Sequence, residues 1–352
     1  MVYNLLILFV VFLTLISLII KYYTKNKRYL NAFFLVPFSI ALALILGLRY
    51  DTIGLDTNVY HSTFDGFLYY SIAEILSQDK TLYMEKGFAL MNKLFSFISD
   101  NYYHFQLFES FLFIILMMKF VKNNATNIIL TSVLFFCSSI YLSSFNIFRQ
   151  CLAVSIAANS YTYLKQEKYL FTGLLIYIAY LMHSSALVCI LITCIYLLRG
   201  NKKLLRGYPI VLFVLYFTVK PLFVYISDVT GKYENYASGE GNLTYGFVLV
   251  VWCIEIFISM RLLLTKNKEY HFLALMTITH VFVVFSGTQV AYLDRIALYF
   301  VPFMFLTFDA YSNTLKNIRI KYIFNTCICI CFLLWVFISF QAKTFNPYLL
   351  FF

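Results

Sequence analysis

Long runs of apolar residues alternate with short polar stretches along the whole chain. A helix that crosses the hydrocarbon core of a bilayer needs about 20 apolar residues, and each run is close to that length or exceeds it. The pattern therefore predicts an all-α polytopic membrane protein. The runs lie at about residues 1–20, 30–48, 104–121, 127–145, 147–164, 169–198, 209–227, 246–264, 270–288, 293–310 and 322–341.

The composition agrees with immersion in lipid. Hydrophobic residues make up 62% of the 352 residues and charged residues only 12%, whereas a soluble domain carries roughly 25% charged residues. This balance argues against a disordered chain, a nucleotide-binding α/β core and a nucleic-acid-binding domain. The net charge of +11 therefore has to be interpreted by position.

Most of the cations lie in six short clusters between the apolar runs. These clusters hold 18 of the 27 Lys and Arg residues, and the positive-inside rule assigns them to cytoplasmic loops. Successive cytoplasmic clusters must be separated by an even number of crossings. The clusters are Lys21, Lys25, Lys27 and Arg28; Lys119 and Lys122; Lys165 and Lys168; Arg199, Lys202, Lys203 and Arg206; Arg261, Lys266 and Lys268; and Lys316, Arg319 and Lys321.

The run at 169–198 breaks this parity, because cations flank both of its ends. We therefore predict a hairpin of two short helices, about 169–182 and 185–198, which turns at residues 183–185. One long tilted helix is the alternative. The hairpin gives about twelve membrane helices, with both termini on the outer side.

The runs leave room for one integral membrane domain over residues 1–352 and for no second soluble domain. The first run has no basic start and no small-residue cleavage site, so we expect it to be retained as a span. Two outer loops are long, at 49–103 and 228–245. Polar side chains that bind or react with a substrate are therefore expected in these loops.

Three arginines stand where an apolar run meets the predicted outer face: Arg49, Arg149 and Arg295. The predicted hairpin places His183 at its tip on the same side. Ionisable groups at membrane depth are costly and call for a reason, and guanidinium groups bind phosphate oxygens in a bidentate manner. The pattern favours a site for a lipid pyrophosphate. The alternatives are arginines that reach lipid headgroups and a histidine that bonds a neighbouring helix.

Five short motifs follow one another through these outer segments. They are Arg49 with Gly54-Leu55-Asp56 and Tyr60; Glu85-Lys86-Gly87-Phe88; Asn146-Ile147-Phe148-Arg149-Gln150-Cys151-Leu152-Ala153; Ala179-Tyr180-Leu181-Met182-His183-Ser184-Ser185-Ala186; and Asp294-Arg295 with Tyr299. In order and spacing, over about residues 49–299, the chain resembles the EpsG family of Wzy-like polymerases of bacterial surface polysaccharides. It departs at Leu55, where the family usually shows a small polar residue.

The resemblance implies a glycosyltransferase of the bacterial inner (cytoplasmic) membrane, with a GT-C-like organisation and an active site facing the periplasm or exterior. Such an enzyme transfers a growing glycan from undecaprenyl-pyrophosphate to the free end of a lipid-linked oligosaccharide repeat unit. The expected partners are the undecaprenyl-pyrophosphate-linked oligosaccharide and membrane lipid, with a chain-length regulator as a further candidate. No cofactor and no nucleic acid are expected.

The motifs suggest a role for each polar residue in such a transfer. A base has to meet the acceptor hydroxyl, and Asp56 and His183 are the catalytic candidates; a free His titrates near pH 6.5 and suits neutral pH better. The pyrophosphate is assigned to Arg49, Arg149 and Arg295, and substrate contacts are assigned to Asp51, Tyr60, Glu85, Gln150 and Tyr299. A divalent metal on Asp51, Asp56 and Glu85 stays open, although three arginines make one less necessary.

A flippase or other transporter of lipid-linked oligosaccharides is the rival class. A flippase should line a deep cavity with charges along many spans, whereas the mid-span charges here are little more than Glu109 and Glu255. A membrane acyltransferase is a third option, with its His expected at mid-membrane or towards the cytoplasm. Phosphate-binding loops and the GxSxG and HExxH motifs are absent from the sequence, so nucleotide hydrolysis within this chain is not expected.

Overall fold

The computed structural model is helical throughout the part of the chain that it describes. There the only pairing of extended backbone is an isolated bridge between Arg49 and Leu350, so the predicted all-α class is confirmed. The described residues are 2–24, 26–77, 84–230, 246–290 and 293–351. Residues 78–83 of the first predicted outer loop and residues 231–245 of the second lie outside them.

The chain divides into two compact units. One comprises Met1–Leu187 and Asn325–Phe352, and the other comprises Val188–Phe324. Each unit has its own buried core. The description as one integral membrane domain stays a prediction.

Among the described residues, the first unit holds ten complete helices and most of the last helix of the chain, and the second unit holds the others. The first ten are α1 (Val2–Tyr23), α2 (Lys27–Gly47), α3 (Thr57–Leu68), α4 (Ile72–Ser77), α5 (Lys86–Ser96), α6 (Tyr102–Asn124), α7 (Ile128–Phe136), α8 (Ser139–Ser143), α9 (Phe148–Lys165) and α10 (Tyr169–Met182). A 3₁₀ turn (Ser184–Leu187) follows α10. The others are α11 (Val188–Leu197), α12 (Lys202–Thr230), α13 (Gly246–Leu263), α14 (Lys268–Ser286), α15 (Asp294–Ala297), α16 (Val301–Thr314) and α17 (Ile318–Ser339), which ends within the first unit.

Among the described residues, six helices are long and apolar enough to cross a membrane: α1, α2 from Tyr29 onwards, α6, α12 as far as Tyr225, α14 and α17. Two shorter apolar helices, Tyr169–Met182 and Ser184–Leu197, lie between them in sequence. Large apolar side chains on α12 are exposed, as lipid contact requires; Phe213 is 67% exposed. The number of about twelve spans and the GT-C-like organisation stay predictions.

The long apolar run at 169–198 is interrupted where the sequence predicts an interruption. Helix α10 ends at Met182, and His183 has extended backbone with φ −158° and ψ 124°. The next turn is 3₁₀ rather than α-helical and leads into α11 at Val188. That the two halves turn back as a hairpin stays a prediction.

Asparagines cap the starts of several described helices, among them α2, α6, α7 and α14. The side chain of Asn26 accepts a hydrogen bond from the Tyr29 amide before α2, and Asn101 and Asn127 cap α6 and α7 in the same way. An Asn at this position satisfies one of the amides that a helix start leaves without a partner. Polar stretches between the apolar runs therefore fix where these helices begin.

The helices of the first unit pack as neighbours in a row. Helix α2 packs on α6, α6 on α9, and α9 on α10. The short helices α3 and α5 pack on each other, and α5 also contacts α10. The residues between α2 and α6 therefore form a layer held against the starts of α6 and α9 and the end of α10.

The end of the chain pairs with the start of this layer. The Tyr50 amide donates to the Leu349 carbonyl at 2.8 Å, and the Phe351 amide donates to the Leu48 carbonyl at 3.3 Å. The Tyr348 hydroxyl donates to the Ile45 carbonyl at 2.8 Å. The segment after α17 thus covers the junction between α2 and the short helices.

Candidate active site

The Gly54-Leu55-Asp56 motif lies directly on the turn before α9. Gly54 has φ +94°, and a Cβ there would lie 1.9 Å from the Phe145 carbonyl oxygen. The next amide, of Leu55, donates to Asn146 Oδ1 at 2.8 Å. Only glycine tolerates both this backbone conformation and this close approach. The first and third motifs are thereby brought together.

Asp56 and Tyr60 lie at the start of α3, beside Arg149. The Asp56 side chain makes no capping hydrogen bond at this helix start, which leaves its carboxylate available for other contacts. The Tyr60 ring is buried, and the Arg149 backbone hydrogen-bonds its hydroxyl. Burial raises the pKa of Tyr60, which the Arg149 charge opposes and the Asp56 charge reinforces. Tyr60 therefore stays a neutral hydroxyl at physiological pH.

Glu85 connects three of the motifs. Its Oε2 lies 2.8 Å from Arg149 Nη1, and its Oε1 accepts a hydrogen bond from the Ser184 amide at 2.9 Å. Burial alone would raise the Glu85 pKa, but the Arg149 guanidinium and the Ser184 amide hold it below its usual value. Glu85 is therefore a carboxylate that orients both Arg149 and the turn after α10.

Gly87 permits this approach. A Cβ at Gly87 would lie 2.6 Å from both the Cβ and the carbonyl oxygen of Leu181. Any larger residue would push the start of α5 away from α10 and withdraw Glu85 from Ser184. The glycine two residues after Glu85 therefore lets α5 approach α10 closely enough for Glu85 to contact Ser184.

His183 lies in the turn that Glu85 contacts. Its Nδ1 is 2.6 Å from Ser185 Oγ and accepts from the Ser185 amide at 3.3 Å. Gln150 Nε2, on the first turn of α9, donates to Ser185 Oγ at 3.4 Å. The structure thus groups Asp56, Tyr60, Glu85, Arg149, Gln150 and His183 in one place, although the sequence separates them widely.

Arg49 is positioned differently from the other predicted pyrophosphate ligands. Its side chain is 0% exposed, its Nη1 donates to the Leu46 carbonyl, and its guanidinium lies 5.6 Å from the centre of the Phe145 ring. Among the described residues, none accepts a hydrogen bond from its Nε or Nη2. In this conformation the Arg49 side chain is shielded from solvent, and its assignment as a pyrophosphate ligand stays a prediction.

Arg295 and Tyr299 belong to the second unit. Arg295 lies in the short helix α15 with Asp294, and Tyr299 is 2% exposed in the turn that follows. These assignments stay predictions.

Asp51 pairs with a histidine that the sequence analysis did not single out. Its Oδ2 lies 3.2 Å from His61 Nδ1, and the His61 ring stacks on Tyr102 with centroids 4.6 Å apart. On the other side, His61 Nε2 lies 3.7 Å from Asp65 Oδ2. The spacing of His61 and Asp65 on one helix was the available signal, but the pairing with Asp51 depends on how the loop folds.

Within the described residues, no group of three or more His, Cys, Asp and Glu side chains is arranged to hold a metal ion. Asp51, Asp56 and Glu85 therefore do not form the metal site left open above. Asp51 faces His61, and Glu85 faces Arg149. The cationic partner of Glu85 is thus an arginine of the chain itself.

The fold and this site define a multi-pass membrane protein with a polar centre built on the ends of its helices. A family model described as the EpsG family matches residues 31–350, nearly the whole chain. The chain therefore belongs to the EpsG family, a family of Wzy-like polymerases. The comparison with curated proteins found no match, and neither did the comparison with solved structures.

Proposed function

We propose that the protein is a membrane glycosyltransferase that polymerises repeat units of a surface polysaccharide. It transfers the growing glycan from undecaprenyl-pyrophosphate to the free end of a lipid-linked oligosaccharide repeat unit, at the periplasmic or outer face of the inner membrane. Family membership supports the class. The observation that carries the mechanism is the convergence of Asp56, Glu85, Arg149 and His183.

Arg149 is the proposed pyrophosphate ligand of this group. Its guanidinium is 20% exposed and is oriented by Glu85 through Nη1. Arginine remains charged at any physiological pH and presents several N–H donors in one plane. It can therefore keep its contact with Glu85 while its outer edge binds phosphate oxygens. Arg295 is proposed as a second phosphate contact.

The proposed reaction is a displacement at the anomeric carbon of the donor chain. An oxygen of the acceptor hydroxyl forms the new glycosidic bond while the bond to the pyrophosphate oxygen breaks, and the hydroxyl proton passes to a base. Pyrophosphate is a good leaving group, so the enzyme mainly positions the two lipids and stabilises negative charge on the leaving oxygen. Gln150, Tyr60 and Asp51 are proposed to contact the sugars.

The charge distribution favours a polymerase over a flippase. Among the buried ionisable side chains of the described spans, Glu255 is paired with His280 at 2.8 Å. The exposed or half-exposed polar groups instead gather at the helix ends around Arg149. This arrangement suits chemistry at a membrane surface. Passage of a sugar through the spans would need polar groups along their length.

A reconstituted assay tests the proposal. Purified protein in lipid nanodiscs is given a defined undecaprenyl-pyrophosphate-linked repeat unit, with and without a chain-length regulator, and products are separated by length. Wild type should yield a ladder of multiples, and Arg149→Ala should yield only the starting unit. Arg319→Ala, an exposed arginine of a predicted cytoplasmic cluster, is the matched control and should retain the ladder.

A cellular experiment separates the two classes. In a strain that lacks the gene, a missing polymerase should leave surface glycan that carries a single repeat unit, whereas a missing flippase should leave no repeat unit at the surface. Complementation with wild type should restore long chains. Absence of all surface repeat units in the deletion strain would contradict the polymerase.

A further inference from the structure

The hydrogen bonds around His183 determine which ring nitrogen carries its proton. Nδ1 lies 3.3 Å from the Ser185 backbone nitrogen, with the N–H directed at the ring. A backbone N–H can only donate, so Nδ1 must offer its lone pair. The neutral ring consequently carries its proton on Nε2.

The Ser185 side chain reinforces this assignment. Its Oγ lies 2.6 Å from the same Nδ1 and accepts a hydrogen bond from Gln150 Nε2 at 3.4 Å. Because Nδ1 already accepts from the Ser185 backbone N–H, the Ser185 hydroxyl contacts it as a second donor. Gln150, Ser185 and His183 thus form a chain in which each group donates to the next, and such chains strengthen one another.

The same contact opposes a second proton on the ring. A second proton would have to sit on Nδ1, where it would face the Ser185 N–H. The doubly protonated ring would therefore lose its contact with the turn that holds it.

We propose that His183 donates a hydrogen bond through Nε2–H to the leaving pyrophosphate oxygen, and that Asp56 is the base. This assignment rests on the proposed function and decides between the two base candidates. A nitrogen that already carries a proton does not accept one from a hydroxyl. Ser185 is a positioning residue, because it fixes the proton on Nε2 without touching the substrate, and Gln150 contributes through its hydrogen bond to Ser185.

The step balances without a cofactor. The acceptor hydroxyl oxygen bonds to the anomeric carbon, its proton moves to the Asp56 carboxylate, and the pyrophosphate oxygen leaves with the electron pair of the broken bond. His183 keeps its proton throughout and stabilises the negative charge on the leaving oxygen. Asp56 suits its role because its side chain does not cap α3.

Substitutions of His183 distinguish a donor from a base. Glutamine places an amide N–H close to the position of Nε2 but cannot act as a base, whereas alanine removes both properties. We expect His183→Gln to retain kcat within about 10-fold of wild type and His183→Ala to lose about 10²–10³-fold, the usual effect of removing a donor to developing charge. Equal losses in the two variants would overturn the proposal.

Substitutions of Asp56 test the proposal that Asp56 is the base. Asp56→Asn should lower kcat by about 10²–10⁴-fold, as expected for loss of a general base. The acidic limb of the kcat profile against pH should persist in His183→Gln and disappear in Asp56→Asn. An acidic limb that disappears in His183→Gln instead would assign the base to His183.

Substitutions of Ser185 test whether its hydroxyl affects the reaction rate or only holds the turn in place. Ser185→Ala should lower kcat several-fold with KM unchanged, and Ser185→Thr should restore it, because threonine keeps the hydroxyl. Ser184→Ala is the matched control, since the exposed Ser184 contributes its backbone N–H to Glu85. Wild type has to form the polymer ladder in the same assay; if it does not, the proposed function itself has failed.

Discussion

The two oxygens of Glu85 contact two different segments: Oε2 lies 2.8 Å from Arg149 Nη1, and Oε1 accepts from the Ser184 amide at 2.9 Å. One side chain from the layer between α2 and α6 thus fixes the start of α9 and the turn after α10 relative to each other. A change at Glu85 should therefore affect Arg149 and His183 together.

Glu85→Gln tests this relationship. Glutamine keeps an oxygen for the Ser184 amide but removes the charge that orients Arg149. We expect kcat/KM to fall by about 10-fold, equivalent to about 1.4 kcal/mol, in initial rates of polymer formation. Glu74→Gln, on the exposed helix α4, is the control and should leave the rate unchanged. An unaffected rate in Glu85→Gln would show that Arg149 does not need this partner.

The pH dependence of stability follows from the same carboxylate. The Glu85 pKa lies below its usual value in the folded protein, so ionised Glu85 stabilises the folded state above the unfolded pKa of about 4.3. This contribution is lost as the pH falls through the lowered folded value. In detergent, wild type should melt at a higher temperature than Glu85→Gln at pH 7, and the difference should begin to shrink near pH 4.3, roughly the unfolded pKa, and disappear below the lowered folded value. A difference that is independent of pH would contradict the ion pair.

Glycine substitutions test the close approaches that assemble the site. Gly54→Ala should be destabilised by at least about 1–2 kcal/mol, because φ is positive and the Phe145 carbonyl occupies the place of the new Cβ. Gly66→Ala is the control within α3, where a Cβ meets nothing within 4 Å. There alanine should stabilise the helix by about 0.5–1 kcal/mol. The melting temperatures of the two variants should move in opposite directions.

Gly87→Ala tests the second close approach. A Cβ 2.6 Å from the Leu181 carbonyl forces α5 away from α10, so Glu85 should lose its contact with Ser184. The expected result is a loss of polymerisation at least as large as that of Glu85→Gln, with the protein still folded by size-exclusion chromatography. Full activity in Gly87→Ala would mean that the α5–α10 contact does not position the site.

Much of this site was predictable from the sequence, and the reasons differ among its residues. The helical class followed from the lengths of the apolar runs, and the interruption at His183 followed from the cations on both sides of one run. Arg149 and His183 were identified because ionisable residues at membrane boundaries are costly, and Asp56 and Glu85 through the resemblance to the EpsG family. The structure brings these four residues together, and their roles stay predictions.

The residues that the sequence did not reveal depend on tertiary contacts. His61 acquires its role only because the loop after α2 brings Asp51 to it, and Ser185 matters because Gln150 faces it. The backbone pairing of Arg49 involves Leu350, from the far end of the chain. The periodicity of apolar residues and the positions of charges predict single helices. Contacts between segments that are distant in sequence produce no such pattern along the chain.

Arg49 and Glu109 provide a test of electrostatic compensation between two buried side chains. Arg49 is 0% exposed and Glu109 is 1% exposed, and they interact electrostatically. Burying an ionisable group without a compensating partner is costly. Arg49→Met should therefore lower the melting temperature strongly, and Arg49→Met with Glu109→Leu should recover most of the loss. A double variant that is no more stable than Arg49→Met would exclude mutual compensation.

Substitutions of Asp51 and His61 test whether their contact contributes to substrate binding. If Asp51 contacts the sugar and His61 orients it, Asp51→Asn and His61→Phe should each raise KM for the repeat unit several-fold with little effect on kcat. Phenylalanine keeps the stacking on Tyr102, so stability should change little. Because both variants remove one interaction, the double variant should be no worse than the more severe single one. Asp65→Asn, 53% exposed and 3.7 Å from His61, is the control; additive effects of Asp51 and His61 would mean that they act independently.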